Sequence, residues 1–477
     1  MAGSLIPAPP QDSHDLATGS TVVLDASVRL YGSQLVAGGH PWRLLRLPSA
    51  TAAVVERWRE PATLQPHELG LARNLVNRGF VRVIPSVPDD VRTLTTVVIP
   101  VYNDASHLDE LLAQLQDFVI VVVDDASTTD DVAQVVARHG ARYERRPKNA
   151  GPAAARNHGA SVATTPYLCF LDADVRLDDA PADLARLVAH FVDPLVAAVA
   201  PRVRGRGDGA RGAFETRFSP LDLGGGSGLV VPGGSIGYVP SAALVVRRDA
   251  FGEGFDHELR TGEDVDFVWR LSDEGWLVRY DAEVVVRHDA RATWSSWWRQ
   301  RHSYGTSAAA LAQRHPDRLA PVRADAVTAG FWLLLALRRW QLATPVLALA
   351  TRGMARQLPR DLEDRDGVAR DVVHQGIAHA GAPLARSVVR SYFPLLVLGL
   401  ALRRTRRLSA TLLAAGVLAR FVHERPRDPR DVLLGAADDA AYAAGVWRGA
   451  VTARRWSVLR PRLTWRTAGL ALRARDE

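Results

Sequence analysis

The chain has 477 residues, 47% of them hydrophobic, a formal charge of +7 and a single cysteine. That length implies two to three domains around a sizeable core and excludes a disordered chain, a disulfide scaffold and any internal disulfide. The basic residues are all arginine except Lys148. With the alanine richness this suits a coding bias, so the high pI weighs little for nucleic-acid binding.

Residues 1–15 (MAGSLIPAPPQDSHD) lack a basic lead and an apolar core, so no secretory signal is expected and residues 1–20 read as a disordered lead. Cys169 lies in an apolar run, which predicts a buried inert thiol and fits a reducing, cytoplasmic compartment. Residues 21–88 form a small unit. Strand-like pieces at 21–24, 28–31 and 43–47 precede a helix after Ser49, a second helix over 66–78 and a strand over 80–84. The second helix carries His67, Glu68, Arg73 and Arg78 without a strong basic face, which disfavours DNA binding. A structural cap on the next domain is an equal reading. Residues 85–90 (PSVPDD) are the linker.

The next region, 92–318, is the expected catalytic domain. Residues 94–101 (LTTVVIPV), 118–123 (FVIVVV) and 167–171 (YLCFL) are continuous apolar runs of strand length, separated by helix-like segments, and read as buried parallel strands. Such sheets bind ligands at the carboxyl ends of their strands. There the chain places Asp124-Asp125 and Asp172-Ala173-Asp174. Two aspartates one residue apart on a strand-end turn make a hard-cation site, and the use of that cation is to hold a diphosphate. Asp124 and Asp125 can alternatively serve as helix caps.

Arg156 follows the Asn149-Ala150-Gly151-Pro152 turn one helical turn in. Helix starts favour phosphate, so this cation suits a diphosphate contact; the alternative is an ordinary surface arginine. Glu263, Asp264 and Asp266 share one helical turn. Their repulsion raises the pKa of at least one, which suits a general base taking a proton from a sugar hydroxyl. The glycine-rich stretch 224–237 is a mobile lid or a plain loop. Trp294, Trp297 and Trp298 can stack on an acceptor sugar or pack a helix, and Arg301 can reach the leaving diphosphate.

The segments VVIPVYND (97–104), VVVDDAS (121–127), NAGPAAARNHG (149–159), FLDAD (170–174) and GEDVD (262–266) resemble, in that order, the motifs of family 2 inverting glycosyltransferases. The resemblance covers about half the chain and implies an α/β, GT-A nucleotide-sugar-binding mixed sheet flanked by helices. It implies that Pro100, Tyr102, Asn103, Asp124, Asp125, Arg156, Asp172 and Arg301 bind a UDP-sugar donor, with a carboxylate at Asp124-Asp125 accepting the uracil N3 proton. It assigns Mg2+ or Mn2+ to Asp172 and Asp174, with His288 as a third ligand, although a lone histidine is often a plain surface residue. By position Asp264 is the base, with Glu263 and Asp266 orienting the acceptor.

Residues 319–477 are rich in alanine, leucine and arginine and read as helical throughout. The apolar stretches 326–337 and 392–402 fall short of a bilayer span and end in arginines, which suits either a peripheral helix on the cytoplasmic face of a membrane or a soluble bundle. The front unit resembles a PqqD-like winged-helix module that binds peptide. The whole layout is similar to the glycosyltransferases of the mycofactocin system. That resemblance implies transfer of glucose, in β-1,4 linkage, to pre-mycofactocin. A cell-envelope glycosyltransferase with a lipid-linked acceptor would use the same residues. A nucleotide-sugar-binding regulator with a DNA-binding front is the reading from another class, and the base at Asp264 argues against it.

Overall fold

The computed structural model describes residues 15–464, apart from residues 33, 89, 317, 423–425 and 427. Up to residue 14, the expected disordered lead lies outside the described residues. The chain divides into two compact units: residues 1–28, 38–42 and 53–290 form one, and residues 29–37, 43–52 and 291–477 the other.

The first unit begins with β1 (Thr21–Leu24), which pairs antiparallel with β5 (Ala62–Thr63) and β6 (Val81–Val83). The strands β2 (Arg29–Tyr31), β3 (Leu35–Gly38) and β4 (Arg43–Arg46) make a separate three-stranded sheet. Helix α1 (Ser49–Arg57) and helix α2 (Leu69–Asn77) fall where the apolar spacing placed them. Arg73 of α2 is buried and pairs bidentately with Asp193 at 2.8 and 3.2 Å. The helix that a DNA-binding reading would offer to a groove therefore has its central arginine engaged within the protein.

The body of this unit is a nine-stranded mixed sheet. Its strands are β7 (Thr95–Val101), β8 (Val119–Asp124), β9 (Arg142–Arg145), β10 (Tyr167–Leu171), β11 (Val175–Arg176), β12 (Val196–Arg206), β13 (Gly228–Leu229), β14 (Ala243–Arg247) and β15 (Leu277–Asp289). They are ordered β11-β15-β12-β14-β10-β7-β8-β9, with β13 on β15. The three apolar runs form β7, β8 and β10, parallel to one another as expected. Antiparallel pairing enters with β14, which joins β10 to β12, and at the β11 and β13 edges. Pro100 fits inside β7 because pairing with β10 stops at Val98, where the missing N–H is no longer needed.

Helices α3 (Val91–Leu94), α4 (Ala105–Gln114), α5 (Asp131–His139), α6 (Pro152–Val162), α7 (Ala180–Ala189), α8 (Gly209–Phe218) and α9 (Glu263–Asp273) belong to the same unit. Helix α6 lies directly on the sheet because of Gly159. A methyl group there would sit 2.3 Å from Val98 Cγ1 and 3.1 Å from Val123 Cγ2. Cys169 is buried, and burial pushes its thiol well up, so it is inert as expected. The glycine-rich stretch is neither lid nor plain loop throughout. Gly228–Leu229 is a strand on β15, Val230 and Val231 are buried, and Trp269 Nε1 donates to the Gly237 carbonyl at 2.8 Å.

The second unit is mainly helical: α10 (Trp294–Arg314), α11 (Ala326–Ala336), α12 (Trp340–Gln357), α13 (Arg365–Ala401), α14 (Arg406–Arg420) and α15 (Arg430–Thr452). A short parallel pair, β16 (Arg323–Asp325) and β17 (Arg462–Thr464), accompanies them. Gly305, Gly445 and Gly449 let α10 and α15 approach closely; a methyl on Gly445 would lie 2.0 Å from the His302 carbonyl oxygen. Leu35, Ala37 and Leu44 of the β2–β4 sheet are buried with Met354, Leu358 and Val372 of the α12–α13 region. These strands therefore belong with the helical unit, whereas residues 21–88 read as one module in the sequence.

The apolar stretch 392–402 lies at the end of α13. Over its whole 37 residues this helix is long and apolar enough, by length and composition, to cross a membrane, although a kink divides it where this stretch begins. Its backbone breaks at Tyr392 (φ −114°, ψ 16°), just before Pro394 removes a helical hydrogen bond.

Candidate active site

The carboxyl ends of β7, β8 and β10 hold the first part of the site. After β7 the chain turns at Asn103, whose φ of +54° is tolerated by asparagine. Its side chain accepts from Thr128 N at 2.8 Å, and its backbone N–H donates to Ser127 Oγ at 2.9 Å. The turns after β7 and β8 are thereby locked together. Tyr102 projects from the first of them, 48% exposed, while Pro100 is buried in the strand below.

Asp124 and Asp125 are both buried but act in different directions. Asp124 accepts from Ser127 N at 2.7 Å, the Tyr143 hydroxyl at 2.7 Å and Arg145 Nη1 at 3.1 Å. Asp125 accepts from Gly151 N at 2.7 Å, Ala150 N and Arg146 Nη1. Neither side chain caps the helix that follows. Instead the pair fixes β9 and the turn that opens α6. Tyr143, Arg145 and Arg146 were not singled out from the sequence, where they look like three more polar residues on an edge strand.

Arg156 rises from α6 one turn above Gly159, and it is not a surface arginine. It is 2% exposed, lies 5.5 Å from the Phe255 ring centroid, and donates from Nη2 to Asp172 Oδ1 at 2.6 Å and from Nη1 to Glu263 Oε1 at 3.0 Å. Burial opposes its charge, and the carboxylates of Asp172, Glu263 and Asp264 more than restore it. The guanidinium thus faces two carboxylates rather than open space. Its neighbour Asn157 accepts from Phe255 N at 2.9 Å and donates to the Phe255 carbonyl at 2.7 Å, holding the loop that leads to α9.

Asp172, Asp174 and His288 offer ligand atoms within 4.8 Å of one another. Asp174 and His288 meet because β11 pairs antiparallel with β15, Val175 opposite His288. His288 Nδ1 lies 3.1 Å from the Asp289 carbonyl oxygen, which can only accept, so Nδ1 carries a proton. In a neutral ring Nε2 then presents its lone pair to Asp174 Oδ1 at 3.3 Å. Two electron-rich atoms so placed need a proton or a shared cation between them. A backbone carbonyl holding the far nitrogen is also how metal-binding histidines are oriented. Two carboxylates and an imidazole are a donor set that fits a divalent cation such as Mg2+ or Mn2+.

The first turn of α9 supplies the last part. Gly262 adopts φ +88° and starts the helix. Glu263 is buried against Arg156, and Asp266 pairs with Arg270 at 2.9 Å. Asp264 accepts from Val265 N at 2.8 Å and Ser241 N at 3.3 Å, with no cation bonded to it directly. Burial first, and then the Glu263 charge, push its carboxyl up to about 7. The proton affinity of Asp264 is thereby brought close to neutral pH. Ser241, on the loop before β14, had no sequence signal.

The residues expected on the acceptor side lie in the helical unit. Trp297 is buried and stacks against Arg301, whose guanidinium is 4.7 Å from the ring centroid; Trp294 and Trp298 are 50% and 41% exposed. Arg301 is 1% exposed and donates to Asp438 Oδ1 at 3.1 Å and to Gln300 Oε1 at 2.5 Å. Its charge is spent within that unit's interior.

Residues 96–255 match the glycosyl transferase family 2 profile. A pre-mycofactocin glycosyltransferase of Mycobacterium tuberculosis is 35% identical over 94% of this chain and 98% of its own length. The succinoglycan biosynthesis protein ExoU of Rhizobium meliloti is 29% identical over 40% of this chain and 59% of its own. Among solved structures, a mannosyltransferase of Pyrobaculum calidifontis in complex with GDP-mannose and Mn2+ aligns over 74% of this chain and 94% of its own, at 18% identity and a TM-score of 0.38.

Proposed function

Because this chain belongs to the family 2 glycosyltransferases, in the group of the pre-mycofactocin glycosyltransferases, we propose that it moves a hexose from a UDP-sugar onto pre-mycofactocin with inversion at the anomeric carbon. The observation that carries the chemistry is Asp264, a partly buried carboxyl raised to about 7, next to Glu263, which shares the Arg156 guanidinium with Asp172. A carboxyl raised towards neutral pH is matched to removing a hydroxyl proton.

In this reading the acceptor hydroxyl gives its proton to the ionised Asp264. The acceptor oxygen forms a bond to the anomeric carbon as the bond from that carbon to the diphosphate breaks, and the electron pair leaves with UDP. One displacement inverts the centre, so an α-linked donor gives a β-linked product. Asp172, Asp174 and His288 would hold a divalent cation, which supplies Lewis-acid stabilisation of the departing diphosphate. Arg156 acts as a positioning residue, since both arms of its guanidinium are taken up by Asp172 and Glu263. Asp124 and Asp125 rigidify the base-binding side and present their remaining acceptor capacity to the uracil.

The donor sugar is glucose and the linkage β-1,4 in this proposal, which rests for both on the family resemblance. We extend it to the front of the chain, where the β1–β5–β6 sheet with α2 takes the role of a peptide-binding element. The test is mass spectrometry of pre-mycofactocin incubated with purified protein, UDP-glucose and Mn2+. Added hexose units support the reading. Slow UDP release without addition directs the same site to a lipid-linked acceptor, and no turnover with intact UDP-glucose binding leaves a sugar-nucleotide-binding protein.

A further inference from the structure

Asp174 and His288, two of the three candidate cation ligands, are brought together by β11. That strand has two residues and opposes β15 only through Val175–His288 and Arg176–Arg287. So short a ladder constrains weakly two side chains that must share one ion. The next residue of β15, Asp289, adds a contact to each of them. Its backbone N–H donates to the Asp174 carbonyl at 3.1 Å, and its own carbonyl oxygen accepts from His288 Nδ1 at 3.1 Å.

Asp289 is fixed in turn from β12, where it stands opposite Arg206. Arg206 donates from Nε to Asp289 Oδ1 at 2.7 Å and from Nη2 to Oδ2 at 3.3 Å, a two-pronged contact that holds the carboxylate in orientation as well as place. Ala290 N donates to the Arg206 carbonyl at 2.7 Å, and His107 Nε2 and Arg176 Nη2 flank Oδ2 at 3.5 and 4.0 Å. The ligand atoms that lie within 4.8 Å of one another are those of Asp172, Asp174 and His288, so the Asp289 carboxylate stands beside that group and acts on it through its backbone. A part-exposed ion pair between neighbouring strands ordinarily contributes little to stability. This one anchors a residue whose two main-chain groups both go to candidate ligands.

We propose that Asp289 is a positioning residue of the cation site, its carboxylate anchored by Arg206 so that its main chain holds the His288 ring and the Asp174 backbone in ligating geometry. The inference rests on the reading of Asp172, Asp174 and His288 as the cation ligands. Partners that orient metal ligands from outside the coordination sphere are worth about ten- to a hundredfold in metal affinity.

The test measures Mn2+ affinity of the full chain with UDP present, from the electron paramagnetic resonance signal of free Mn2+, together with Tm and metal-free UDP affinity. Asp289→Ala should weaken Mn2+ binding by about ten- to a hundredfold. Its Tm and metal-free UDP affinity should stay close to those of the unmodified chain, because the Asp289–Arg206 pair is part-exposed. Arg206→Ala should weaken Mn2+ binding likewise, and carries the test if Asp289→Ala does not fold. The double variant should lose no more than either alone, since both act through one contact. Asp289→Asn, which keeps an acceptor oxygen for Arg206, should recover part of the affinity. Asp174→Ala is the control for the site itself and should abolish Mn2+ binding. Retained binding in Asp174→Ala, or none by the unmodified chain, removes the cation site from these residues and the proposal with it. Binding lost in Asp174→Ala but unchanged in Asp289→Ala leaves the site standing and overturns the role of Asp289. Losses that multiply in the double variant, or a matching fall in Tm and metal-free UDP affinity, overturn it as well.

Discussion

Arg156 Nη2 lies 2.6 Å from Asp172 Oδ1 while its Nη1 reaches Glu263 Oε1 at 3.0 Å, so one buried cation ties the turn after β10 to the first turn of α9. The turn carries the candidate cation ligands and the helix carries the candidate base. This side chain, seated by the close packing of Gly159 on Val98, thus bridges the two directly, beside the backbone link through Ser241 and Ala242.

Replacing Arg156 by Leu leaves Asp172 and Glu263 without their shared cation. Breaking a buried pair on one side costs about 3–5 kcal/mol, so a substantial fall in Tm is expected with loss of transfer. Arg156→Lys keeps the charge but loses the fork that spans two carboxylates, and should retain most of the stability and little of the activity. Equal activity in Arg156→Lys would show that charge alone suffices.

Gly159→Ala places a methyl 2.3 Å from Val98 Cγ1. Overpacking of this kind costs about 1–3 kcal/mol, read as a drop in denaturant midpoint at constant slope. Because α6 must lift from the sheet, transfer should fall more steeply than stability. The Gly159→Ala, Val98→Ala double variant should recover part of both.

Asp264 binds its proton more tightly folded than unfolded, since its carboxyl is raised to about 7. A raised carboxyl pKa destabilises the fold progressively as pH climbs from the ordinary aspartate range to about 7, and by a constant amount above that. Asp264→Asn should therefore raise Tm relative to the unmodified chain more at pH 8 than at pH 5. Activity has the opposite dependence, because only the ionised form accepts a proton. The acid limb of kcat/KM measured with Mn2+ should lie at or below pH 7, because a nearby cation favours the carboxylate. Equal Tm differences at the two pH values would show that Asp264 is not the titrating group.

Removing the cation site should be visible without turnover. Asp174→Ala and His288→Ala are each expected to weaken the Mn2+ dependence of UDP binding, with Asp174→Ala making binding insensitive to Mn2+. A retained response to Mn2+ in Asp174→Ala would move the cation site elsewhere.

The central strands were legible because β7, β8 and β10 are buried on both faces and read as unbroken apolar runs bounded by polar turns. The acids at their ends stand out for the same reason. What brings Asp174 to His288 is the two-residue strand β11, too short to leave a pattern, in register with a residue more than a hundred positions away. Arg156 was visible as a cation near a helix start. That it faces two carboxylates follows from how α6 rotates onto Val98, which helical spacing does not specify. Arg301 resembled a ligand-facing arginine because its partner Asp438 is 137 positions distant. The β2–β4 strands looked like part of the front module because nothing in their spacing indicates which neighbour covers Leu35 and Leu44.

The most direct test compares the full chain with Asp264→Asn on pre-mycofactocin, UDP-glucose and Mn2+, measuring hexose transfer and UDP-glucose affinity together. Transfer is expected to fall by about a hundred- to ten-thousand-fold while affinity stays nearly unchanged. Transfer at the rate of the unmodified chain, or loss of donor binding along with transfer, would contradict Asp264 as the base.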